Sequence, residues 1–173
     1  MGDQRLVSRE GWSAVSRSID HDRDERPSCR SVGAGKNGSA ATSRDRYGRL
    51  YTWESARRVC QSLGDGWRLP TDDEWRQMTK HYGGVCDDSD DKGKAAYKVL
   101  LAGGNSGFNG LLGGGRSKDG QYARLEAHGF YWTASEIDPT SGWFYNFGRG
   151  GQALHRQSGG EKQDAFSVRC VSE

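Results

Sequence analysis

The sequence predicts an α+β domain: two main helices, a small twisted antiparallel sheet, and long irregular glycine-rich loops. Three observations carry this. Apolar residues recur at helical spacing after Tyr47 and at strand spacing in the last third of the chain. The 173 residues include 26 Gly but only 25 Leu, Ile, Val and Phe together. Six Trp and seven Tyr supply apolar surface that the aliphatic count misses, since each aromatic buries roughly 150–250 Å². The 25 Lys+Arg nearly balance 23 Asp+Glu, leaving +2. The high net charge of a disordered chain is therefore missing, and so is the basic balance of a nucleic-acid binder. No window approaches about 18 consecutive apolar residues, so membrane insertion is not expected. A large parallel sheet would need Val/Ile/Leu-rich runs, which are absent.

Residues 1–46 form a polar, Arg-rich extension in which Trp12 and Val15 anchor at most a short strand. Its segment Gly33-Ala-Gly-Lys-Asn-Gly-Ser lacks the spacing of a phosphate loop. The ordered domain is expected over 47–173. Thr52 is placed as the cap of a first helix whose apolar face carries Trp53, Ala56, Val59, Cys60 and Leu63, and which ends at Gly64-Asp65-Gly66. Thr71 and Glu74 are spaced as a capping box for a second helix with Trp75, Met78 and Tyr82 inward. The acidic loop 83–94 invites calcium, but Lys92 occupies a ligand position of the EF-hand pattern and Val99 stands at position twelve. A short helix follows through Ala95, Ala96, Val99 and Leu100. In the Gly-rich stretch 103–115, Phe108, Leu111 and Leu112 point to an ordered loop. Three strands are predicted at Phe130–Ser135, Trp143–Phe147 and Phe166–Val171, the last with Phe166, Val168 and Cys170 on one face and Ser167 and Arg169 on the other. Residues 148–164 read as a polar loop.

The four cysteines, Cys29, Cys60, Cys86 and Cys170, allow three connectivities if all are paired. Pairing would cross-link a thin core and suit an oxidising compartment; four free thiols in a cytosolic protein are the alternative. No CxxC pair supports a zinc site. No signal peptide is visible after Met1.

The strings Tyr47-Gly-Arg-Leu-Tyr-Thr-Trp-Glu-Ser-Ala and Gly66-Trp-Arg-Leu-Pro-Thr-Asp-Asp-Glu-Trp resemble the Fibrobacter succinogenes major paralogous domain. So do Phe108-Asn-Gly-Leu-Leu-Gly-Gly-Gly-Arg, Gly129-Phe-Tyr-Trp-Thr-Ala-Ser, Trp143-Phe-Tyr-Asn-Phe and Phe166-Ser-Val-Arg-Cys-Val. The resemblance runs from about residue 47 to the end. It implies a C-type-lectin-like fold, related to formylglycine-generating enzymes, with a disulfide from the first helix to the last strand. Cys60 and Cys170 are the implied pair, leaving Cys29–Cys86 as a second.

The same resemblance implies a non-catalytic module that binds a protein receptor or a glycan, outside the cell, on its surface or on a phage particle. Some domains of this fold are diversified by retroelements in the segment before the last strand. Here the ligand-binding region is expected over about 130–170. Trp143 and Phe147 would anchor the strand, while Phe144, Asn146, Arg149, Gln152, Leu154, His155 and Gln157 face the ligand, with Arg116 and Trp132 as a neighbouring wall. An ordinary solvated loop is the competing reading of this segment, and an undiversified carbohydrate- or cell-wall-binding paralogue is the alternative function. Calcium-dependent sugar binding would need Glu-Pro-Asn, Gln-Pro-Asp or Trp-Asn-Asp, none of which occurs; no cofactor is expected, calcium being the alternative. An oxidase of the formylglycine-generating kind would need two neighbouring reactive cysteines near the C-terminal part. Only Cys170 lies there. The histidines His21, His81, His128 and His155 form no nucleophile–base constellation.

Overall fold

A computed structural model describes residues 12–14 and 46–172. In chain order they form β1 (Trp12–Ala14), α1 (Trp53–Gln61), β2 (Trp67–Arg68), α2 (Asp72–His81), α3 (Lys94–Leu100), β3 (Gly115–Arg116), β4 (Tyr122–Ala123), β5 (His128–Asp138), β6 (Ser141–Gly148), β7 (Ala153–Glu161) and β8 (Arg169–Ser172). The architecture is α+β with small antiparallel sheets. One sheet has the order β1-β8-β2, a second is the β3-β4 pair, and the third is β5-β6-β7.

Helix α1 buries Trp53, Ala56 and Cys60 as expected, while Val59 and Leu63 are only half-buried. Thr52 is its N-cap without a side-chain bond to the helix amides; its hydroxyl meets Ser55 Oγ instead. In α2 the capping box is complete. Thr71 Oγ1 accepts from Glu74 N, and Glu74 Oε2 accepts from Thr71 N at 2.8 Å. The same carboxylate takes a bidentate bond from Arg68, also at 2.8 Å. The Arg68 hydrogen bonds hold Glu74 below the usual carboxylate range. Asp91, in the acidic loop, works as a cap: its carboxylate accepts from Gly93 N and Ala95 N at the start of α3. Helix α3 buries Tyr97 as well as Ala96 and Leu100.

Cysteine Cys60 on α1 is bonded to Cys170 on β8, with 5.5 Å between Cα atoms. Cys86 is a free, half-buried thiol; its candidate partner Cys29 lies outside the described residues. The bridge ties β8 to α1 while β8 also pairs antiparallel with β1 and β2 on either side. Phe166, Val168 and Cys170 share one cluster, and the other side of this segment is buried too. Ser167 and Arg169 are as buried as Phe166 and Val168. Arg169 tolerates this because its guanidinium donates to the carbonyls of Phe108, Val168 and Asn109 and lies over the rings of Phe108 and Tyr131. It pins the Gly-rich loop against the sheet.

The largest departure from the sequence reading is β7, which occupies part of the segment read as a polar loop. Its pairing with β6 runs from Ser141↔Glu161 to Gly148↔Ala153. Cross-strand partners share a face. One face of the β5-β6-β7 sheet carries Tyr131, Tyr145, Phe147 and Leu154, packed on Trp75 and Met78 of α2 and on Ala96, Tyr97 and Leu100 of α3. Trp75 stacks on Tyr145 with ring centroids 4.5 Å apart. The other face carries Trp132, Phe130 and Phe144, which join Trp53, Ala56, Cys60 and Phe166 in a second core cluster.

Glycine at position 160 is required by this second cluster. A Cβ there would lie 2.7 Å from the Trp132 ring and 2.8 Å from the Phe144 ring. Trp132 is fully buried and cannot yield cheaply. Gly160→Ala is expected to cost about 1–3 kcal/mol by overpacking. Gly150→Ala, which would meet nothing within 4 Å, should stay within about 0.5 kcal/mol of the parent. Urea unfolding of the two variants checks the contrast; equal stabilities would refute it.

Candidate functional site

Helices and the Phe166 segment cover only part of the second sheet face. Its remaining stretch is built by His128 and Phe130 of β5, Phe144 and Asn146 of β6, and His155 and Gln157 of β7. The register Phe130↔Asn146↔His155 and Trp132↔Phe144↔Gln157 puts these side chains side by side. Four of the seven residues expected to face ligand, Phe144, Asn146, His155 and Gln157, are thus brought together. They differ in access. Gln157 is exposed and His155 half-buried, while Phe144 is half-buried against the core and Asn146 is only 8% exposed.

Arg149 and Gln152 lie next to this face on the exposed turn between β6 and β7. Gln152 has a left-handed φ of 48°, and its N–H closes the turn on Arg149 O. Leu154 does not belong to the site. It is 0% exposed and packs on the opposite face against the α2/α3 cluster. As one of only two aliphatics in a polar stretch, it goes to the core for the ordinary hydrophobic reason. Phe147 is an anchor as expected. Trp143 is half-buried, with the Arg156 guanidinium 3.5 Å from its ring centroid. Trp132 cannot form a wall because it is fully buried; Arg116 is half-buried in β3, hydrogen-bonded through its backbone to Ala165.

Sequence reasoning did not include His128, Phe130, Arg124 and Glu126. His128 stacks parallel to Phe130, with centroids 5.6 Å apart, and its Nδ1 lies 2.9 Å from Asn146 Oδ1. Arg124 Nη1 approaches the other ring nitrogen at 3.4 Å. Glu126 accepts from the Tyr47 hydroxyl at 2.6 Å and pairs with Arg46 at 3.5 Å. The Tyr47 hydrogen bond lowers the Glu126 pKa and raises that of the phenol. A period of two from Trp132 through Phe130 back to His128 would have placed the imidazole on this face.

A separate groove of about 360 Å³ is lined by Arg57, Gln61, Arg68, Leu69, Thr71 and Ala134. Its Arg68 is held by Glu74 and its Arg57 lies over Trp53. Among the described residues no three His, Cys, Asp or Glu side chains converge on a metal-sized site, and no helix is long and apolar enough to cross a membrane.

The model of the family described as the Fibrobacter succinogenes major domain matches residues 15–172. The chain belongs to this family. The family match begins upstream of Tyr47, so it includes part of the polar N-terminal stretch. Comparison with curated proteins returned no match, and comparison with solved structures returned none. In this Fibrobacter succinogenes major domain the Cys60–Cys170 bridge packs in the same cluster as Trp132, Phe130 and Phe144, alongside the open stretch of that sheet face.

Proposed function

We propose that this domain is a non-catalytic binding module of C-type-lectin-like fold. Its ligand site is the open face of β5-β6-β7 together with the β6–β7 turn. The observation that carries this is the division of labour in β6 and β7. One face of these strands is fixed in the α2/α3 core, so the other presents Phe144, Asn146, His155 and Gln157 on rigid backbone, flanked by Arg149 and Gln152. Aromatic, amide, imidazole and guanidinium groups on a fixed frame are the chemistry that adaptable paratopes use. The helix-to-last-strand disulfide, the small antiparallel sheets and the long ordered loops support the C-type-lectin-like assignment. The disulfide also suits a protein that works outside the cell or on its surface. Cys170 is bridged to Cys60, which leaves it unsuited to the paired reactive thiols of the oxidase alternative.

The test is a triple substitution, Arg149→Ala, His155→Ala and Gln157→Ala, probed on arrays of extracellular proteins and glycans. The parent is expected to bind a component that the variant loses, while the variant's stability stays close to the parent's, single surface changes being usually within about 0.5 kcal/mol. Unchanged binding would place the site elsewhere, and unfolding would make the turn structural. Retroelement diversification is part of the proposal. It predicts a near-copy of the gene's 3′ end, differing at adenines, beside a reverse transcriptase.

A further inference from the structure

Four places in the chain put an Asp or Asn directly before a Gly: Asn37-Gly38, Asp65-Gly66, Asn109-Gly110 and Asp119-Gly120. The first lies outside the described residues. At such a step the following residue has no β-carbon to shield its nitrogen, which is therefore able to attack the carboxyl or amide carbon of the preceding side chain. Two conditions decide whether a fold permits this. The glycine N–H must not be spent in a hydrogen bond, and the attacked side chain must be free to turn towards the main chain.

The three described steps differ on both counts. Gly110 is buried, and its N–H donates to Leu100 O at 2.8 Å. The Asn109 carbonyl is held by the Arg169 guanidinium at 2.7 Å, and the Asn109 side-chain amide donates to Gly107 O. Gly120 is exposed, but its N–H donates to Ser117 O at 2.8 Å. The Asp119 carboxylate accepts from the Ser117 hydroxyl and from Gln121 N, and the Ser117 bond holds it below the usual carboxylate range. Asp65-Gly66 has neither restraint. These two residues are the exposed centre of the turn that joins α1 to β2, closed by Trp67 N donating to Gly64 O at 3.3 Å. Gly66 has a φ of 80°, the sign that the third residue of a type II turn takes, and its own N–H is not part of the bond that closes the turn. Among the described residues the Gly66 N–H has no acceptor, and the Asp65 carboxylate has no hydrogen-bond or ion-pair partner.

We infer that Asp65 is a site of spontaneous isomerisation to isoaspartate, the step that this fold leaves open while it closes Asn109-Gly110 and Asp119-Gly120. Gly66 N bonds to Asp65 Cγ, and the hydroxyl of the carboxyl group leaves as water with the amide proton, giving a five-membered imide. Water then adds to the main-chain carbonyl carbon of Asp65 and breaks its bond to Gly66 N. The main chain now runs through Cβ and Cγ, one carbon longer, and the former carbonyl is a free carboxylate. The water lost in the first step is regained in the second, and nothing is oxidised or reduced. The extra carbon falls just ahead of β2, whose Trp67 and Arg68 pair with Ser172 and Val171 on the strand that carries Cys170. Isomerisation therefore loosens the β2 edge of the β1-β8-β2 sheet. It does not involve the β5-β6-β7 face, so it stands independently of the binding proposal.

The experiment ages the full folded chain in mildly acidic buffer for several weeks, with a second sample held unfolded in urea. Each is then reduced and cut after arginine, which releases residues 59–68 with Asp65 and residues 117–124 with Asp119. Isoaspartyl forms of these peptides keep the parent mass, separate by chromatography and resist an Asp-specific protease. In the folded chain isoaspartate is expected to accumulate about tenfold faster at Asp65 than at Asp119, the scale of one hydrogen bond that must open first. In urea the two sites should convert at similar rates, because both are Asp-Gly and only the fold distinguishes them. Hydrogen exchange of the ¹⁵N-labelled folded chain gives a second reading, in which the Gly66 amide exchanges faster than those of Gly110 and Gly120. Conversion at Asp119 as fast as at Asp65 in the folded chain, a Gly66 amide as protected as that of Gly120, or an Asp65 that stays intact when folded yet converts in urea overturns the inference.

Discussion

Replacing Cys60 or Cys170 by Ser lowers the free energy of unfolding by about 4–5 kcal/mol in the chain-entropy account, because the bridge closes a loop with a sequence separation of 110. This is the largest effect expected of any single substitution in the molecule. Domains of this size hold only about 5–15 kcal/mol in total, so the variants should melt roughly 15 °C below the parent or not fold at all. The reason for such reliance is visible in the core. Aliphatic side chains are few, and β8 is a four-residue strand that must serve as the centre of the β1-β8-β2 sheet. The bridge holds it to α1 while Phe166 and Val168 hold the preceding segment in the same cluster. Removing both sulfurs should cost little more than removing one, since either substitution opens the same loop. Thermal melts with and without reductant check this. Reductant should bring the parent to the level of the variants and leave the variants unmoved. A loss below about 1 kcal/mol would mean that the packed core already restrains the chain.

The sequence foretold those parts whose signals are local. Thr71 and Glu74 are three residues apart, and the box they form depends on nothing distant. Trp75, Met78, Ala56 and Cys60 lie on faces set by helical period alone. The pairing of Cys60 with Cys170 came only through the family resemblance. What escaped was decided by contacts far apart in the chain. Strand β7 looked like a loop because its inward position after Leu154 is Arg156, and charged residues on an inner face are usually read as solvent. Asp72, 84 positions away, makes that arginine tolerable inside. Arg169 misled in the same way, since its acceptors at Phe108 and Asn109 lie some 60 residues off. The site was half legible for a related reason. Phe144, Asn146, His155 and Gln157 fall on one face once β7 exists, whereas Leu154 could be placed only by knowing the register. His128 shares this face by the period of two that runs back from Trp132 through Phe130, and only its bond to Asn146 needed the register of β5 on β6.

The same pair, Asp72 and Arg156, yields the second large expectation. Asp72 opens α2, is nearly buried, and takes bonds from Arg156 Nε at 2.8 Å and Nη2 at 2.6 Å. Tyr145 OH donates to the same carboxylate at 3.2 Å, and Trp143 covers the guanidinium. Removing one partner of a buried pair strands the other, at a cost of about 3–5 kcal/mol. The lower end applies here, because Arg156 keeps 25% of its side chain in solvent against 8% for Asp72. Asp72→Ala is therefore expected to lose about 3 kcal/mol, whereas Asp72→Leu combined with Arg156→Met should recover most of it, apolar replacement of a buried pair being often neutral. Denaturant midpoints of the single and double variants decide between a stranded charge and simple loss of packing; if the double variant is no better than the single, packing is the cause. Alkaline pH gives an independent reading. Burial, and then the Asp72 carboxylate, raise the Tyr145 phenol well above its ordinary value, which is near 10. The unfolded chain ionises this phenol first. The stabilisation it gives is therefore complete below about pH 10 and is lost as pH climbs beyond it. In Asp72→Ala the carboxylate's share disappears and burial's remains, so the alkaline loss should shrink without vanishing. In Tyr145→Phe this component should be gone, and a parent and phenylalanine variant that lose stability equally above pH 10 would show that Tyr145 is not its source.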